Sequence, residues 1–235
     1  MKKLYKNIES GYYHKAYSGG NPVQRYWHTE RFKKIIHQVN PKKKILLDLG
    51  CGPGTLLSQI PQTYTKVIGI DFDEKQIDFA KKEFKNYKRI TWIAGDVNKI
   101  HFKEKFDYIL CSEVIEHLKP EHADRLLRLC YELLKKDGKL ILTTPNYRSF
   151  WPLIEKAVNF FGKVDYSEQH INKMNRASLK SALLKNKFKV DKLETFYIAA
   201  PFTSVISYGF AKKLQKAEEI LLPRLGSILL AVASK

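Results

Sequence analysis

The chain has 235 residues, 44% hydrophobic and 28% charged, a balance that supports one sizeable buried core and excludes a disordered or fibrous chain. Lysine and arginine number 42 against 24 aspartates and glutamates, and the resulting formal charge of +18 favours anionic partners such as nucleic acid, an acidic lipid surface or a phosphorylated metabolite. Because the lysines are scattered from Lys2 to Lys235 rather than gathered in one tract, solvated helix faces account for the same excess. Cys51, Cys111 and Cys130 are odd in number and widely spaced, with no Cys-x-x-Cys, which argues against a disulfide framework or a thiolate zinc site and suits a reducing cytoplasm.

The start, Met1-Lys2-Lys3-Leu4-Tyr5-Lys6-Asn7, has charge but no apolar h-region, so no secretory signal is expected. Gln24 to Val39 places Phe32, Ile35, Ile36 and Val39 at helical spacing and stops before Pro41. After Lys42-Lys43-Lys44, the apolar run Ile45-Leu46-Leu47-Asp48-Leu49 ends in Gly50-Cys51-Gly52-Pro53-Gly54, which reads as a strand entering a glycine turn. A helix from Thr55 to Ile60 and a strand Val67 to Ile70, closed by Asp71, follow; Asp73 and Gln76 are spaced as a capping box for a helix from Glu74 to Asn86. Strands Ile90 to Ala94 and Phe106 to Cys111, a helix Pro120 to Lys136 and a strand Lys139 to Thr144 continue the alternation. The last two strands are expected at Phe188 to Ile198 and Ile228 to Ala233. Pro223, Arg224, Gly226 and Ser227 interrupt the apolar stretch Ile220 to Ala233, so no transmembrane helix is predicted.

Strands alternating with helices predict an α/β class fold: a Rossmann-like, doubly wound, mostly parallel seven-stranded sheet with helices on both faces. The expected organisation is a single domain of residues 1–235, with an N-terminal helical cap (1–41), a cofactor-binding core (42–145), a lid and helix (146–187) and C-terminal strands (188–235) with a helical insertion at 202–222.

Ligands bind such sheets beyond the carboxyl ends of the strands. Asp71, Asp96 and Glu113 stand at three of those ends, and glycines at 50, 52 and 54 would let the backbone approach a ligand closely. Leu47-Asp48-Leu49-Gly50-Cys51-Gly52-Pro53-Gly54, Ile68-Gly69-Ile70-Asp71, Gly95-Asp96-Val97 and Phe106-Asp107-Tyr108-Ile109, in that order, resemble the class I S-adenosylmethionine-dependent methyltransferases over about the first two thirds of the chain. The resemblance implies that Gly50 and Gly52 line the methionine portion of the cofactor, that Asp71 holds its ribose and that Asp96 and Val97 bracket the adenine; Asp48, Cys51, Phe72 and Glu113 complete the implied cofactor-binding set. Thr55 stands where the nicotinamide fingerprint Gly-x-Gly-x-x-Gly needs its last glycine, which places a hydride-transferring dehydrogenase second among small-molecule enzymes.

Methyl transfer to a hydroxyl needs an aligned nucleophile, dry surroundings and a group that removes or weakens the acceptor proton. In Ser112-Glu113-Val114-Ile115-Glu116-His117, residues Glu113, Glu116 and His117 would share one helical face, and His170 could join them. This Glu-x-x-Glu-His arrangement is similar to that of the ubiquinone-pathway O-methyltransferases and the small-RNA 2′-O-methyltransferases, and implies magnesium or manganese held by Glu113, Glu116, His117 and His170. Without a metal, His117 or His170 is the candidate base; equally, Glu116 and His117 could simply begin a helix, with His170 a packing residue.

Asn146 to Val164, with Tyr147, Phe150, Trp151, Leu153, Ile154, Val158, Phe160 and Phe161, reads as an aromatic lid for an aromatic or lipid-like acceptor. Phe202 to Leu222 sets Val205, Ile206, Phe210, Leu214 and Leu221 against Lys212, Lys213 and Lys216; core packing against the sheet is the favoured role for this amphipathic helix, and peripheral membrane contact the other. Asn21 to His28 would fold over the cofactor. The leading expectation is O-methylation of a small aromatic, quinone-like, lipid or glycan acceptor. An RNA-directed methyltransferase, favoured by charge but lacking a visible RNA-binding motif, and a non-catalytic cofactor-binding protein are the alternatives.

Overall fold

The computed structural model describes residues 9–40, 45–61, 63–64, 66–100, 102–161 and 169–235. Lys42-Lys43-Lys44, the end of the expected lid at 162–164 and Glu168 lie outside the described residues.

Seven strands form one sheet: β1 (Ile45–Leu49), β2 (Lys66–Asp71), β3 (Ile90–Ala94), β4 (Phe106–Ser112), β5 (Leu134–Pro145), β6 (Lys189–Phe196) and β7 (Ile228–Ser234), in the spatial order β3-β2-β1-β4-β5-β7-β6. Every pairing from β3 to β5 is parallel, whereas β7 runs antiparallel between β5 and β6. That inserted strand separates the sheet from the 3-2-1-4-5-6 order of the dinucleotide-binding fold. The nicotinamide alternative therefore loses topological support as well as its glycine.

Both faces of the sheet are covered, which is why its central strands are apolar on successive residues rather than alternate ones. Leu47, Ile109 and Leu140 point into one cluster, with Ala123, Leu126, Leu127, Cys130 and Leu133 of α5 (Pro120–Leu133) and Leu179 and Leu183 of α7 (Arg176–Lys185). Their neighbours Leu46, Leu110 and Ile141 point the other way. They meet Tyr26, Phe32 and Ile35 of α2 (Pro22–Ile36), Leu56 and Leu57 of α3 (Thr55–Ser58) and Ile77 of α4 (Glu74–Glu83). A short helix, α1 (Tyr12–Gly19), precedes α2, whose Asn21 forms a complete capping box with Gln24. The remaining helices are α6 (Trp151–Phe161), α8 (Ala200–Thr203) and α9 (Tyr208–Leu221).

Four local expectations are corrected. Asp73 caps α4 by accepting from Lys75 N, but Gln76 completes no capping box: its Oε1 accepts from Gly11 N and its Nε2 donates to the Glu9 carbonyl, holding the start of the described chain. α5 stops at Leu133 because Leu134 already pairs with Phe106 in β5; the ladder resumes at Lys139, and residues 135–138 bulge around Asp137, whose φ is +63°.

Glu113 cannot share a helical face with Glu116 and His117, because its φ of +56° is left-handed; only Ile115–His117 form a single 3₁₀ turn. Finally, 202–222 is not one helix, and of its apolar residues Ala211 and Leu214 pack on the core while Val205, Ile206, Phe210 and Leu221 stay exposed. Thr203 and Ser204 hydroxyls donate back to the carbonyls of Ala200 and Pro201, Ser207 caps a new helix by accepting from Phe210 N, and the residues α9 buries are Ala211, Gln215 and Glu218.

Candidate active site

The glycine turn leaves β1 and folds back on β2: Gly50 N and Cys51 N both donate to the Ile70 carbonyl, at 2.8 and 3.0 Å. Gly50 has a φ of +71°, and a Cβ there would lie 2.5 Å from Val114 Cγ2, so this glycine serves the close passage of the chain beyond β4. Gly52 differs. Its φ is +51°, and a Cβ there would meet nothing within 4 Å, so its open side faces space beyond the strand ends. Asp71, closing β2, spans the turn: Oδ2 accepts from Gly52 N at 2.8 Å and Oδ1 from Asp73 N at 2.9 Å.

Asp48 is buried behind the turn, and burial together with the Asp71 charge pushes its carboxyl well above the usual carboxylate range. Burial also raises Asp71, partly countered by its backbone donors, and with the two carboxylates raises the Cys51 thiol. Cys51 is thus a buried wall residue rather than a nucleophile. Phe72 follows Asp71 half-buried, and Asp96 and Val97 stand half-buried just past β3, Val97 opening a 3₁₀ turn.

The N-terminal helices lie alongside. His14 Nδ1 is 3.2 Å from Thr55 Oγ1 at the exit of the glycine turn. From α2, Arg31 Nη1 reaches Glu113 Oε2 at 3.5 Å. Burial raises the Glu113 carboxyl, and the Arg31 guanidinium pulls it back down. Glu113 therefore faces the cap helix and is not among the three groups that converge beside it, although its charge helps raise the Glu116 carboxyl.

That cluster is Glu116, His117 and His170, whose potential ligand atoms all lie within 4.8 Å of one another. Asn172 draws the segments together, its N donating to the Glu116 carbonyl and its Nδ2 to that of Ile115. His117 Nδ1 is 3.1 Å from the Gln169 carbonyl, and His170 Nδ1 is 2.6 Å from Glu155 Oε1, which also accepts from Tyr147 Oη at 2.7 Å. Each Nδ1 faces an acceptor and so carries the proton, leaving the lone pair of each neutral ring on Nε2. Burial lowers both histidines to about 4, so both rings are neutral near pH 7. Glu116 Oε2 accepts from Thr144 Oγ1 at 3.0 Å, while its buried Oε1 has no hydrogen-bond partner among the described residues.

Two neutral imidazoles oriented by a carbonyl and a carboxylate, beside a carboxylate oxygen that lacks a donor, are a donor set suited to a divalent cation. The residues present fit such an ion.

A profile described as a methyltransferase domain matches residues 46–138. The ubiquinone biosynthesis O-methyltransferase of Coxiella burnetii is 34% identical over 118 residues, 49% of this chain and 50% of that protein; the one from Pelagibacter ubique is 35% identical over 131 residues, 54% of each. Among solved structures, a SAM-dependent methyltransferase from Archaeoglobus fulgidus has a TM-score of 0.65 at 22% identity, covering 97% of this chain and all of that one. Magnesium protoporphyrin IX methyltransferase from Synechocystis PCC 6803 has a TM-score of 0.65 at 15% identity, covering 100% and 92%. These structures share the fold. Residues 46–138 are thus similar to a methyltransferase domain, set in a fold that these solved methyltransferases share. It spans about half the length of the curated relatives it matches.

Around this site, three contributors escape sequence reading. Arg31 resembles any solvent-facing helix charge, Glu155 sits among lid residues with no motif around it, and Gln76 is spaced for a cap it does not make. Of the expected lid residues, Trp151 turns inward, its ring centroid 5.8 Å from Trp27 and 6.0 Å from His170, while Phe150, Leu153 and Val158 are exposed.

Proposed function

We propose that this chain methylates an oxygen of a small aromatic, quinone-like acceptor, with S-adenosylmethionine as the donor held across the glycine turn. In this reading Gly52 gives the methionine portion room, the Asp71 carboxylate accepts from the ribose hydroxyls, and Asp96 with Val97 brackets the adenine. The open side of Gly52 and the carboxylate beside it support the placement. The relatives' names, all O-methyltransferases of ubiquinone biosynthesis, support the acceptor class and give none to an RNA acceptor.

The cluster of Glu116, His117 and His170 carries the choice of oxygen as nucleophile. These three residues would hold magnesium or manganese, which when bound lowers the pKa of an acceptor hydroxyl. Glu155 and the Gln169 carbonyl fix the two imidazoles, so that alignment is in place before the acceptor enters. Trp151, buried between Trp27 and His170, offers the acceptor an apolar surface and keeps water from the reacting oxygen. Without the ion, the neutral histidines would serve as the proton acceptor themselves.

The test combines calorimetric titration with S-adenosylhomocysteine and transfer of labelled methyl to a catechol, with magnesium and with chelator. Binding weakened at least about tenfold in Asp71→Asn, with catechol methylation lost on chelation, is the expected result. Absence of binding by folded wild type would sink the cofactor assignment. Undiminished transfer after chelation would leave cofactor binding intact and remove the metal.

A further inference from the structure

α9 packs inward through Ala211, Gln215 and Glu218. Gln215 accepts from Tyr26 Oη at 2.7 Å. Glu218 accepts from three backbone donors at the start of α8, Ile198 N at 3.1 Å, Ala199 N at 2.8 Å and Ala200 N at 3.1 Å. Glu219 takes Lys34 Nζ at 2.9 Å. Both carboxylates of the helix are thus committed to neighbouring parts of the protein, and hydrogen bonds hold α9 in place.

Ala211 is buried and Leu214 packs on the core, but most of the large apolar side chains of this hairpin lie outside. Phe210, Leu214, Ala217 and Leu221 follow one another at i, i+4, i+7 and i+11, a stripe about 16 Å long on a straight helix, exposed at its Phe210 and Leu221 ends and half-buried at Ala217 and at Leu214, which packs on the core. Phe210 is 52% and Leu221 74% exposed, and the α8–α9 turn before them adds Val205 at 60% and Ile206 at 80%. Lys212, Lys213 and Lys216 are exposed beside the stripe. With Glu218 and Glu219 turned inward, the charges that α9 presents outward are all positive.

We propose that the α8–α9 hairpin is an interfacial anchor that lays this stripe on an anionic lipid surface. A folded protein gains nothing from leaving Phe210, Ile220 and Leu221 exposed to water together with a protruding Val205-Ile206 tip. Apolar side chains enter the acyl boundary while the flanking lysines meet acidic headgroups, the arrangement of a helix lying in the interface plane. Among the described residues no helix is long and apolar enough to cross a bilayer, so attachment through this face is peripheral. The anchor also touches the cap of the candidate site: Tyr208, at the start of α9, donates to Glu30 of α2, the helix that carries Trp27 and Arg31. Surface binding would then set the cap next to the bilayer, where a quinone-like or other lipid acceptor is dissolved. The anchor itself stands independently of the acceptor's identity.

Co-sedimentation of the full chain with phosphatidylglycerol–phosphatidylcholine vesicles, against pure phosphatidylcholine vesicles, tests this. Wild type binds the anionic vesicles, and I206D/F210D and K213E/K216E each lower the partition coefficient at least about tenfold. All of these side chains are exposed, and an unchanged S-adenosylhomocysteine titration on the same samples shows that fold and cofactor site are intact. Three outcomes overturn the proposal: no wild-type binding to anionic vesicles; binding that I206D/F210D leaves unchanged, which bulk charge explains; or self-association in place of vesicle binding that the same variant abolishes, which makes a second copy the occupant.

Discussion

Arg31 Nη1 lies 3.5 Å from Glu113 Oε2, joining the cap helix α2 to the end of β4 through a pair whose side chains are 10% and 19% exposed. Arg31 Nε and Glu113 Oε1 have no hydrogen-bond partners among the described residues, so the pair is the principal compensation for two desolvated charges. Arg31→Ala leaves a buried carboxylate without a cation and is expected to cost about 2–3 kcal/mol, toward the low end for a buried pair because Glu113 keeps some solvent. Urea unfolding would show a lower midpoint with an unchanged slope. Arg31→Lys keeps the charge and should fall between. A full-strength Arg31→Ala variant would mean that the pair contributes nothing.

Gly52→Ala separates cofactor binding from folding. The added Cβ meets nothing within 4 Å in the protein, so the folded-state cost is limited to the left-handed backbone, about 1 kcal/mol. If the cofactor lies against this face, the same methyl group occupies its place, and S-adenosylhomocysteine affinity should fall at least about tenfold while the protein melts within a few degrees of wild type. Gly50→Ala is the contrast. Its Cβ would strike Val114, so stability should suffer first.

Glu155 is expected to act on the ion through His170. Glu155→Gln keeps the size and an acceptor oxygen for His170 Nδ1 but removes the negative charge that raises the ring's basicity. Manganese affinity, read by electron paramagnetic resonance, should drop about 10- to 100-fold in Glu155→Gln, and Glu116→Gln should lose more. Equal affinity in wild type and Glu116→Gln would place any bound ion elsewhere.

How far the sequence reveals this molecule depends on the range of the forces involved. The strand at Ile45–Leu49, its glycine turn and the carboxylate ending β2 are legible because apolar runs and positive-φ glycines are local constraints. The pairing of His117 with His170 rests on Asn172 bonding to the 3₁₀ turn, a contact between distant segments that no periodicity encodes. Glu113 illustrates a different limit: the i, i+3, i+4 spacing is real, but the chain turns left-handed at that residue and the helix never starts there. In α9 the amphipathic pattern is legible and its orientation only in part, since Leu214 packs on the core as expected while Phe210 and Leu221 stay exposed. Apolar and polar residues at helical spacing give the helix two faces; only the hydrogen bonds of Gln215 and Glu218 decide which one is inside.

Acid should weaken the fold through the same histidines that suit a metal. In the metal-free protein His117 and His170 have pKa values lowered to about 4, against 6.5 for the ordinary side chain, because burial disfavours their charged forms. Between those values the unfolded chain binds more protons than the folded one, so the stability they contribute is present above pH 6.5, declines as pH falls toward 4 and levels off below it. The raised carboxyls of Asp48, Asp71 and Glu116 act in the opposite sense, adding stability as pH falls, and mask the effect in the wild-type curve. The histidine contribution is therefore read as the stability of wild type minus that of H117N/H170N, measured by urea unfolding at a series of pH values with chelator present. That difference should shrink steadily from pH 7 to pH 4. A difference that stays flat would mean the two rings titrate in the folded protein as they do in water, and the buried, neutral pair on which the metal assignment depends would have to be given up.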